Sequence, residues 1–298
     1  MLLTSYLFYR IAFYSPTGKQ NDDFNIIRSP QMDVYNDQIL EMIKTLLARP
    51  CEGVTTLSHD GLRLFAKYYH QSDEAPLVIC FHGYRGTSAR DFSGGSAMYL
   101  DMGFNLLMVD ERACCRSEGH TITFGIEERY DVLSWIKYAI DRFGQEKKIL
   151  LGGISMGAGT VLMASQMDLP REVKGIIADC PFTSPEAIIR KVIRDLKISD
   201  QLTWPLVKLG ARLYGHLDLD RWADAAEAVK ETNIPVLVMH GEDDRFVPCD
   251  MSRQIAAANP KMVELHTFPG AGHGLSYLVD PKRYTRIVQD FTARALER

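Results

Sequence analysis

Short apolar runs alternate along the chain with stretches whose hydrophobic residues recur at helical spacing. Eight runs of four to eight residues are rich in Val, Ile, Leu and Phe, and they lie at residues 54–58, 62–69, 77–81, 105–109, 148–152, 173–178, 236–239 and 263–268. Runs of this length and composition are typical of buried strands. Strands that alternate with helices predict an α/β fold with a mostly parallel, doubly wound, eight-stranded sheet. The loops that follow the strands would then meet at the carboxyl end of the sheet.

One connection is much longer than the others. Residues 183–232 separate the sixth and seventh predicted strands, whereas connections in compact domains usually have about 2–6 residues. The segment carries Ile189 and Ile193 at helical spacing and is apolar further along, where it contains Trp204 and Trp222. Most of these residues are expected to pack the segment onto the body. We predict a small helical cap over the catalytic end of the sheet, with Trp204 as a substrate contact.

We predict that residues 1–50 form an N-terminal extension to the main domain of residues 51–298. Residues 1–14 are apolar and aromatic, and residues 34–47 have helical periodicity. The first stretch is interrupted by Arg10, is shorter than the roughly 20 residues of a spanning helix and lacks signal-peptide features, so no integral membrane span is predicted. It is expected to pack on its own domain, or else to contact a membrane surface or a second copy of the chain.

A serine stands at the junction of a predicted strand and a predicted helix. The motif G-I-S-M-G, residues 153–157, follows an apolar run and precedes a helix of small residues. Such a turn exposes the serine hydroxyl, and glycine is needed where a side chain would clash with the adjoining strand and helix. Ser155 is therefore the predicted nucleophile. The pentapeptide alone also fits an ordinary structural turn, so the flanking strand and helix carry the prediction.

Two further residues complete a catalytic set with this serine. Asp244 follows the seventh predicted strand in the sequence H-G-E-D-D, and His273 follows the eighth in G-A-G-H-G. A serine hydroxyl becomes a good nucleophile when a neutral imidazole takes its proton, and a carboxylate holds the imidazole in the right tautomer. Ser155, His273 and Asp244 thus predict a catalytic triad. Asp179, at the end of the sixth strand, is the alternative acid, whereas Asp243 is expected to face solvent.

A glycine-containing turn follows the third predicted strand, in the sequence H-G-Y-R-G. We expect it to aim the backbone N–H of Tyr84 at the same point as that of Met156, so that the two donors stabilise an oxyanion. His82 is expected to order this loop by hydrogen bonding, although a catalytic role is the alternative. Arg85 and, in a second loop, Arg116 are candidates for binding a substrate carboxylate, or else are solvated surface residues.

These motifs, in this order, resemble those of bacterial serine hydrolases of the α/β-hydrolase superfamily. The shared motifs are H-G-Y-x-G at residues 82–86, D-x-R-x-x-x-x-S-x-G at 110–119, G-x-S-M-G at 153–157, D-C-x-[FY]-T-S at 179–184 and H-G-x-x-D-x-x-V-P at 240–248. The resemblance spans residues 54–296 and implies the α/β-hydrolase fold, the Ser155, Asp244 and His273 triad, and the Tyr84 and Met156 oxyanion hole. It implies no particular substrate.

One stretch departs from the family pattern. Where such families have Gly-His-Gly before the small polar residue, this chain has Ala113, Cys114 and Cys115. If a family glycine there has a positive φ, a residue with a Cβ is strained or the loop takes another path. A redox or metal site at the two cysteines is disfavoured, because vicinal cysteines form a disulfide only with distortion and no further ligand lies at metal-binding spacing.

Composition narrows the function class. The chain has 298 residues, 34 Lys and Arg against 38 Asp and Glu, and a formal net charge of −4 with no basic stripe, which argues against a nucleic-acid partner. Its six cysteines are scattered, as is typical of a reducing cytoplasm. We therefore predict a cytoplasmic serine esterase that cleaves a small-molecule ester with an apolar acyl or aryl group, without metal or cofactor. An amide or peptide hydrolase, an acyltransferase and a non-catalytic binding module are the alternatives.

Overall fold

Eight strands form one sheet in the computed structural model, which describes residues 1–16, 22–26, 28–220 and 224–298. In chain order the strands are β1 Glu52–Leu57, β2 Arg63–Tyr69, β3 Leu77–Phe81, β4 Asn105–Asp110, β5 Ile149–Ile154, β6 Val173–Asp179, β7 Val236–Gly241 and β8 Val263–Phe268. Their order in the sheet is β1-β2-β4-β3-β5-β6-β7-β8. Strand β2 is antiparallel to β1 and β4, and the other neighbours are parallel. The predicted fold, a mostly parallel eight-stranded sheet, is confirmed.

The central strands are apolar throughout because both faces of the sheet are covered. Along β3, Leu77, Ile79 and Phe81 pack into one hydrophobic cluster, and Val78 and Cys80 pack into another. Successive side chains of a strand point to opposite faces, so a short run without polar residues marks a strand that is buried on both sides. This is why the apolar runs located the strands well, and why β3 and β8 begin and end at the predicted residues.

Helices cover both faces of the sheet. In chain order they are α1 Leu2–Ala12, α2 Pro30–Asp33, α3 Asn36–Leu47, α4 Ser88–Asp91, α5 Ser93–Asp101, α6 Glu128–Phe143, α7 Met156–Ala164, α8 Pro185–Asp195, α9 Asp200–Gly215, α10 Ala225–Ala228, α11 Cys249–Ala258, α12 Ser276–Val279 and α13 Pro281–Leu296. The segment predicted to be a helical cap contains α8, α9 and α10. Trp204 on α9 is buried in the hydrophobic core, whereas Trp222 lies outside the described residues.

Helix α1 packs along α9 of the cap. Its buried residues are Ser5 and Tyr9, and two glycines of α9 permit the close approach. A Cβ added at Gly210 would lie 2.1 Å from the carbonyl oxygen of Ser5, and one added at Gly215 would lie 2.9 Å from the ring of Tyr9. The opposite side of α1 is exposed, and Leu3 there is 72% accessible. Among the residues that the structure describes, none of the helices has the length and apolar character needed to cross a membrane.

The rest of the N-terminal extension packs on the body of the domain. The hydroxyl of Ser29 caps α2 by accepting a hydrogen bond from the N–H of Met32 at 3.1 Å. On α3, Ile39 and Ile43 form a small cluster with Ile26, and Leu46 packs into the hydrophobic cluster that contains Val78 and Cys80 of β3. The extension is therefore held at two places, with α1 on the cap and α2 and α3 on the body.

Candidate active site

Ser155 lies between β5 and α7 in a strained backbone conformation. Its φ is 54° and its ψ is −112°, in a region that residues with a Cβ rarely adopt. The turn is tight, because a Cβ added at Gly157 would lie 2.0 Å from the carbonyl oxygen of Phe81, and one at Gly153 would lie 2.4 Å from that of Gly157. The Ser155 N–H donates to the carbonyl of Asp179 at 2.8 Å and so ties the turn to β6. Both glycines are required for this geometry.

Three side chains form a continuous hydrogen-bonded chain. The Oγ of Ser155 is 2.9 Å from Nε2 of His273, and Nδ1 of His273 is 2.7 Å from Oδ2 of Asp244. Because an ionised carboxylate can only accept, the proton of a neutral His273 lies on Nδ1, and Nε2 accepts from the serine hydroxyl. The Asp244 side chain is fully buried, while that of His273 is 23% exposed. The structure thus brings together the three side chains that the sequence predicted to be nucleophile, base and acid.

The carboxylate of Asp244 is held by four donors. Its Oδ1 accepts from the N–H groups of Phe246 and Val247, each at 2.8 Å. Its Oδ2 accepts from His240 and His273. Burial alone would raise the pKa of Asp244, but the hydrogen bonds from the two histidines outweigh it and hold this pKa well below its usual range. Asp244 is therefore ionised at neutral pH and available to stabilise an imidazolium.

His240 supports the carboxylate of Asp244 as a hydrogen-bond donor. Its Nε2 lies 2.9 Å from the carbonyl of Val247 and 3.2 Å from Oδ2 of Asp244, and both acceptors require a proton on that nitrogen. Its Nδ1 forms a hydrogen bond of 2.6 Å with the hydroxyl of Ser252. The sequence motif H-G-x-x-D, in which His240 is the first residue, was a usable signal for this role, which was not predicted.

The two other acids considered for the triad are engaged elsewhere. Asp179 is buried, and its carboxylate accepts from the hydroxyls of Tyr284 at 3.0 Å and Ser276 at 3.4 Å. Burial raises the pKa of Asp179 to about 6. Asp243 is exposed. Of the acidic residues in the described part of the chain, only Asp244 forms a hydrogen bond with His273.

The turn after β3 presents a backbone N–H near the serine. A hydrogen bond of 2.9 Å from the N–H of Gly86 to the carbonyl of Gly83 closes the turn and makes Tyr84 its second residue. Tyr84 lines the same cavity as Ser155. Within the described part of the chain, no hydrogen bond is made by the N–H of Tyr84 or of Met156. Free donors at these two positions are what the predicted oxyanion hole requires.

His82 holds this turn in place. Its Nδ1 lies 2.8 Å from the carbonyl of Gly83 and carries the proton, while its Nε2 accepts from the N–H of Glu111 at 3.1 Å. The carboxylate of Asp91 accepts the N–H of Gly83 at 2.8 Å. The His82 ring is fully buried, and burial lowers its pKa. A neutral His82 with both ring nitrogens engaged has the expected loop-ordering role.

The loop that departs from the family pattern contains two left-handed residues with side chains. The φ of Ala113 is 59° and that of Cys115 is 49°, so the strain expected from the missing glycines is present. Ser117 stabilises the loop, because its hydroxyl donates to the carbonyl of Asp110 at 2.6 Å and accepts the N–H of Phe65 at 2.9 Å. None of the six cysteines, all of which lie in the described ranges, forms a disulfide.

Two groups of side chains have potential metal-ligand atoms within 4.8 Å of one another in the described ranges: Cys180, Asp244 and His273, and His59, Asp60 and Asp131. In the first group the imidazole and the carboxylate are hydrogen-bonded to each other. In the second, the guanidinium of Arg112 bonds both carboxylates, at 3.1 Å to Asp60 and 2.6 Å to Asp131. The guanidinium already supplies the positive charge that a cation would bring. Neither group indicates a metal site.

A cavity of about 610 Å³ opens beside Ser155 and His273. Its other walls come mainly from the N-terminal extension and from the loops after β7 and β8: Ser29, Pro30, Gln31, Met32, Arg245, Phe246 and Leu275. None of the described cap residues lines it. The wall that sequence analysis assigned to the cap is therefore formed by the N-terminal extension, and the cap instead uses α9 to pack against α1.

The three side chains predicted to bind substrate lie outside this cavity wall. Arg85 donates hydrogen bonds to carbonyls at the C-terminal end of α1. The guanidinium of Arg116 lies 4.7 Å from the ring centre of Phe65, and Trp204 is buried in the core. The arginine at the cavity wall is Arg245. Loop position in the sequence indicated the right end of the sheet but not the direction of each side chain.

Comparison with known proteins agrees with this architecture. Residues 76–207 match the alpha/beta hydrolase fold family, and residues 196–295 match the dienelactone hydrolase family. The chain is 25% identical over 198 residues to YqkD of Bacillus subtilis, a match that covers 65% of this chain and 64% of YqkD. It is 25% identical over 261 residues to the bifunctional esterase/perhydrolase DCH of Acinetobacter calcoaceticus, covering 72% of this chain and 91% of DCH.

Solved structures share the fold as well. An esterase of Pyrococcus furiosus, Pf2001, superposes with a TM-score of 0.69 at 21% identity, over 85% of this chain and 94% of that one. The two family matches together extend from β3 to the last helix, across the elbow, the acid loop and the histidine loop described above. The chain belongs to the α/β-hydrolase superfamily.

Proposed function

We propose that this protein is a serine hydrolase that cleaves a carboxylic ester with an apolar acyl or aryl group through an acyl-enzyme. The observation that carries the proposal is the unbroken hydrogen-bonded chain from Ser155 through His273 to Asp244, with the serine on a strained strand-to-helix turn. A serine paired in this way is an activated nucleophile. The esterase names of DCH and Pf2001 support the same reaction type.

The geometry supplies a route for each proton. The Oγ of Ser155 bonds to the substrate carbonyl carbon as its proton moves to Nε2 of His273, and the carbonyl electron pair forms an oxyanion. The tetrahedral species then expels the alcohol, which takes the proton back from His273. Water repeats the sequence on the acyl-enzyme and releases the acid. Asp244 stays ionised throughout and stabilises the imidazolium.

The backbone N–H groups of Tyr84 and Met156 serve as the oxyanion donors in this proposal. Both are free of hydrogen bonds within the described residues, and Tyr84 lines the cavity next to the serine. Loss of one such donor in a related chemistry costs about 10²–10³ in kcat. Hydrogen bonds from these two N–H groups would thus account for a large part of the rate enhancement at this site.

The cavity wall indicates the substrate class. Met32, Phe246 and Leu275 present apolar surface to a cavity large enough for a small to medium acyl or aryl group. Arg245 adds one guanidinium to this wall. A neutral apolar group against the three apolar residues, with any anionic substituent directed to Arg245, fits this distribution of charge.

Covalent labelling tests the proposal. The wild-type protein is treated with a fluorophosphonate probe, the modified residue is identified by mass spectrometry, and an ester, amide and thioester panel is assayed in parallel. We expect the adduct on Ser155, fastest turnover of esters, and a loss on the order of 10⁶ in kcat for Ser155→Ala. Ser134→Ala, which changes a partly buried serine of α6, is the matched control and should keep both signals. An adduct elsewhere, or no turnover of any ester, would contradict the proposal.

A further inference from the structure

The side chains of the oxyanion turn reach the C-terminal end of α1. The hydroxyl of Tyr84 donates to the carbonyl of Ala12 at 2.8 Å and lies 3.4 Å from that of Ile11. The guanidinium of Arg85 donates to the carbonyl of Ile11 at 2.9 Å and to that of Tyr14 at 3.0 Å. Two adjacent residues of the turn are thus joined to an element more than 70 positions earlier in the chain.

These contacts satisfy both partners. The last carbonyls of a helix have no N–H donor within the helix, and the negative C-terminal end of the helix dipole favours a nearby cation. Arg85 supplies a cation and two hydrogen bonds at that end of α1. In return, α1 fixes the side chain of a residue whose own φ is 52°, a conformation that a residue with a Cβ holds only when its surroundings enforce it.

Helix α1 is itself firmly held. The hydroxyls of Tyr9 and Thr121 lie 3.0 Å apart, and the N–H of Ile122 donates to the carbonyl of Phe13 at 2.8 Å. The ring of Phe124 packs against Phe13 on one side, with ring centres 5.7 Å apart, and stacks on Tyr84 on the other, at 5.0 Å. The end of α1 is therefore a fixed support for the turn.

We propose that α1 positions the oxyanion turn, and that Arg85 and the hydroxyl of Tyr84 are the positioning groups, acting through the main chain of the turn. The inference rests on the proposed function, because it assigns the Tyr84 N–H to the oxyanion. His82 and Asp91 hold the turn at Gly83, and α1 holds it at the next two residues. Without the second support, the Tyr84 N–H would move relative to the serine.

Displacing an oxyanion donor reduces the stabilisation of the transition state more than it reduces the binding of the substrate. A shift on the order of 1 Å in a catalytic group can cost about 10² in rate. We therefore expect Arg85→Gln to lower kcat about tenfold to a hundredfold with little change in KM. Arg85→Lys keeps the charge and should recover part of the loss. Tyr84→Phe keeps the backbone N–H and the ring and should lower kcat in the same way.

The test separates positioning from simple stabilisation. Each variant is assayed with p-nitrophenyl butyrate, its active fraction is titrated by the p-nitrophenol burst, and its Tm is measured. Affinity for an alkyl trifluoromethyl ketone is measured as well, because the serine adds to this ketone and leaves an oxyanion that mimics the transition state. Arg294→Gln is the matched control, since Arg294 also makes two hydrogen bonds, to Glu264 at 2.7 and 2.9 Å.

We expect the affinity for the ketone and kcat to fall by the same factor in Arg85→Gln, and neither to fall in the control. A lower Tm with unchanged kcat per active molecule would overturn the inference and leave α1 as a purely structural element. An unchanged ketone affinity would overturn it too. A wild-type protein that reacts with neither ester nor ketone would overturn the proposed function, and this inference with it.

Discussion

Gln31 lies directly against Gly272, the residue before His273. A Cβ added to Gly272 would stand 2.5 Å from Oε1 of Gln31. The same side chain donates from Nε2 to the backbone carbonyl of Asp243, at 3.4 Å, next to Asp244. The N-terminal extension therefore contacts the loops that carry Asp244 and His273, and the residues beside Gln31 line the cavity.

Met32 is expected to set acyl-chain preference. It lines the cavity from the extension, so Met32→Ala enlarges the cavity and should shift the optimum of kcat/KM towards longer acyl chains, by roughly 1–3 kcal/mol per methylene contact. A series of p-nitrophenyl esters of increasing chain length measures the shift. Leu202→Ala is the control, because Leu202 is an exposed residue of the cap. A profile that responds to the cap variant and not to Met32→Ala would return the specificity role to the cap.

Asp244 is expected to be the acid of the triad. Asp244→Asn should lower kcat by about 10⁴, because an amide favours the wrong tautomer of the histidine. Asp243→Asn removes an exposed carboxylate and should have little effect, and Asp179→Asn should change stability more than rate because its partners are Tyr284 and Ser276. Steady-state rates of the three variants give the ranking. A larger loss of kcat in either of the other two would move the acid.

Arg245 is expected to favour esters that carry a negative charge. The ratio of kcat/KM for p-nitrophenyl hemisuccinate to that for p-nitrophenyl butyrate should fall about tenfold in Arg245→Gln, as expected for the loss of one hydrogen bond to a charged group. The effect should weaken in high salt, because the arginine is exposed. Arg116→Gln is the control, since its guanidinium lies over Phe65 and outside the cavity wall. Equal ratios in all three proteins would contradict the expectation.

Gly210→Ala is expected to loosen α1. The added Cβ would meet the backbone of Ser5, which cannot yield like a flexible side chain, so overpacking should cost about 1–3 kcal/mol of stability. Because α1 supports the oxyanion turn, kcat should fall as well. Thermal unfolding and ester turnover measure the two effects. Gly95→Ala in α5 has room for its Cβ, whose nearest neighbour is 3.6 Å away, and should lower neither quantity.

Glu111 is expected to make stability decline with rising pH. Its carboxylate is buried and its oxygens have no hydrogen-bond partner in the described part of the chain. Burial, with the charges of Glu128 and Asp131, raises its pKa well above the ordinary 4.5. The unfolded chain therefore releases this proton at lower pH than the folded protein does. The free energy of unfolding should fall by about 1.4 kcal/mol per pH unit above 4.5, until the pH reaches the raised pKa of the folded protein.

The neutral variant Glu111→Gln removes this dependence. Its free energy of unfolding relative to wild type should increase between about pH 5 and pH 8, measured by urea denaturation at both values. Glu146→Gln changes an exposed glutamate and should leave the difference between the two pH values as in wild type. A Glu111→Gln variant that parallels wild type at both pH values would mean that this carboxyl is not protonated in the folded protein.

Local patterns in the sequence were enough to predict the sheet and the residues at its catalytic end. Strands such as β3 and β8 could be located because burial on both faces excludes polar residues from a short run. The serine turn could be recognised because only glycine fits at 153 and 157. The strain at Ala113 and Cys115 was expected from the resemblance, because the family has glycine in this loop.

The tertiary structure decided which segments surround the serine. The apolar character of residues 183–232 predicted a cap over the serine, but in the structure α9 of this cap packs against α1. A segment near residue 30 forms the cavity wall instead. Arg85, predicted to face substrate, bonds to α1. Hydrophobic periodicity tells which face of an element is buried but carries no information on its partner, because burial is non-directional and any apolar surface of suitable shape can supply it. The partner, and with it the direction of each loop side chain, is set by how distant elements pack together.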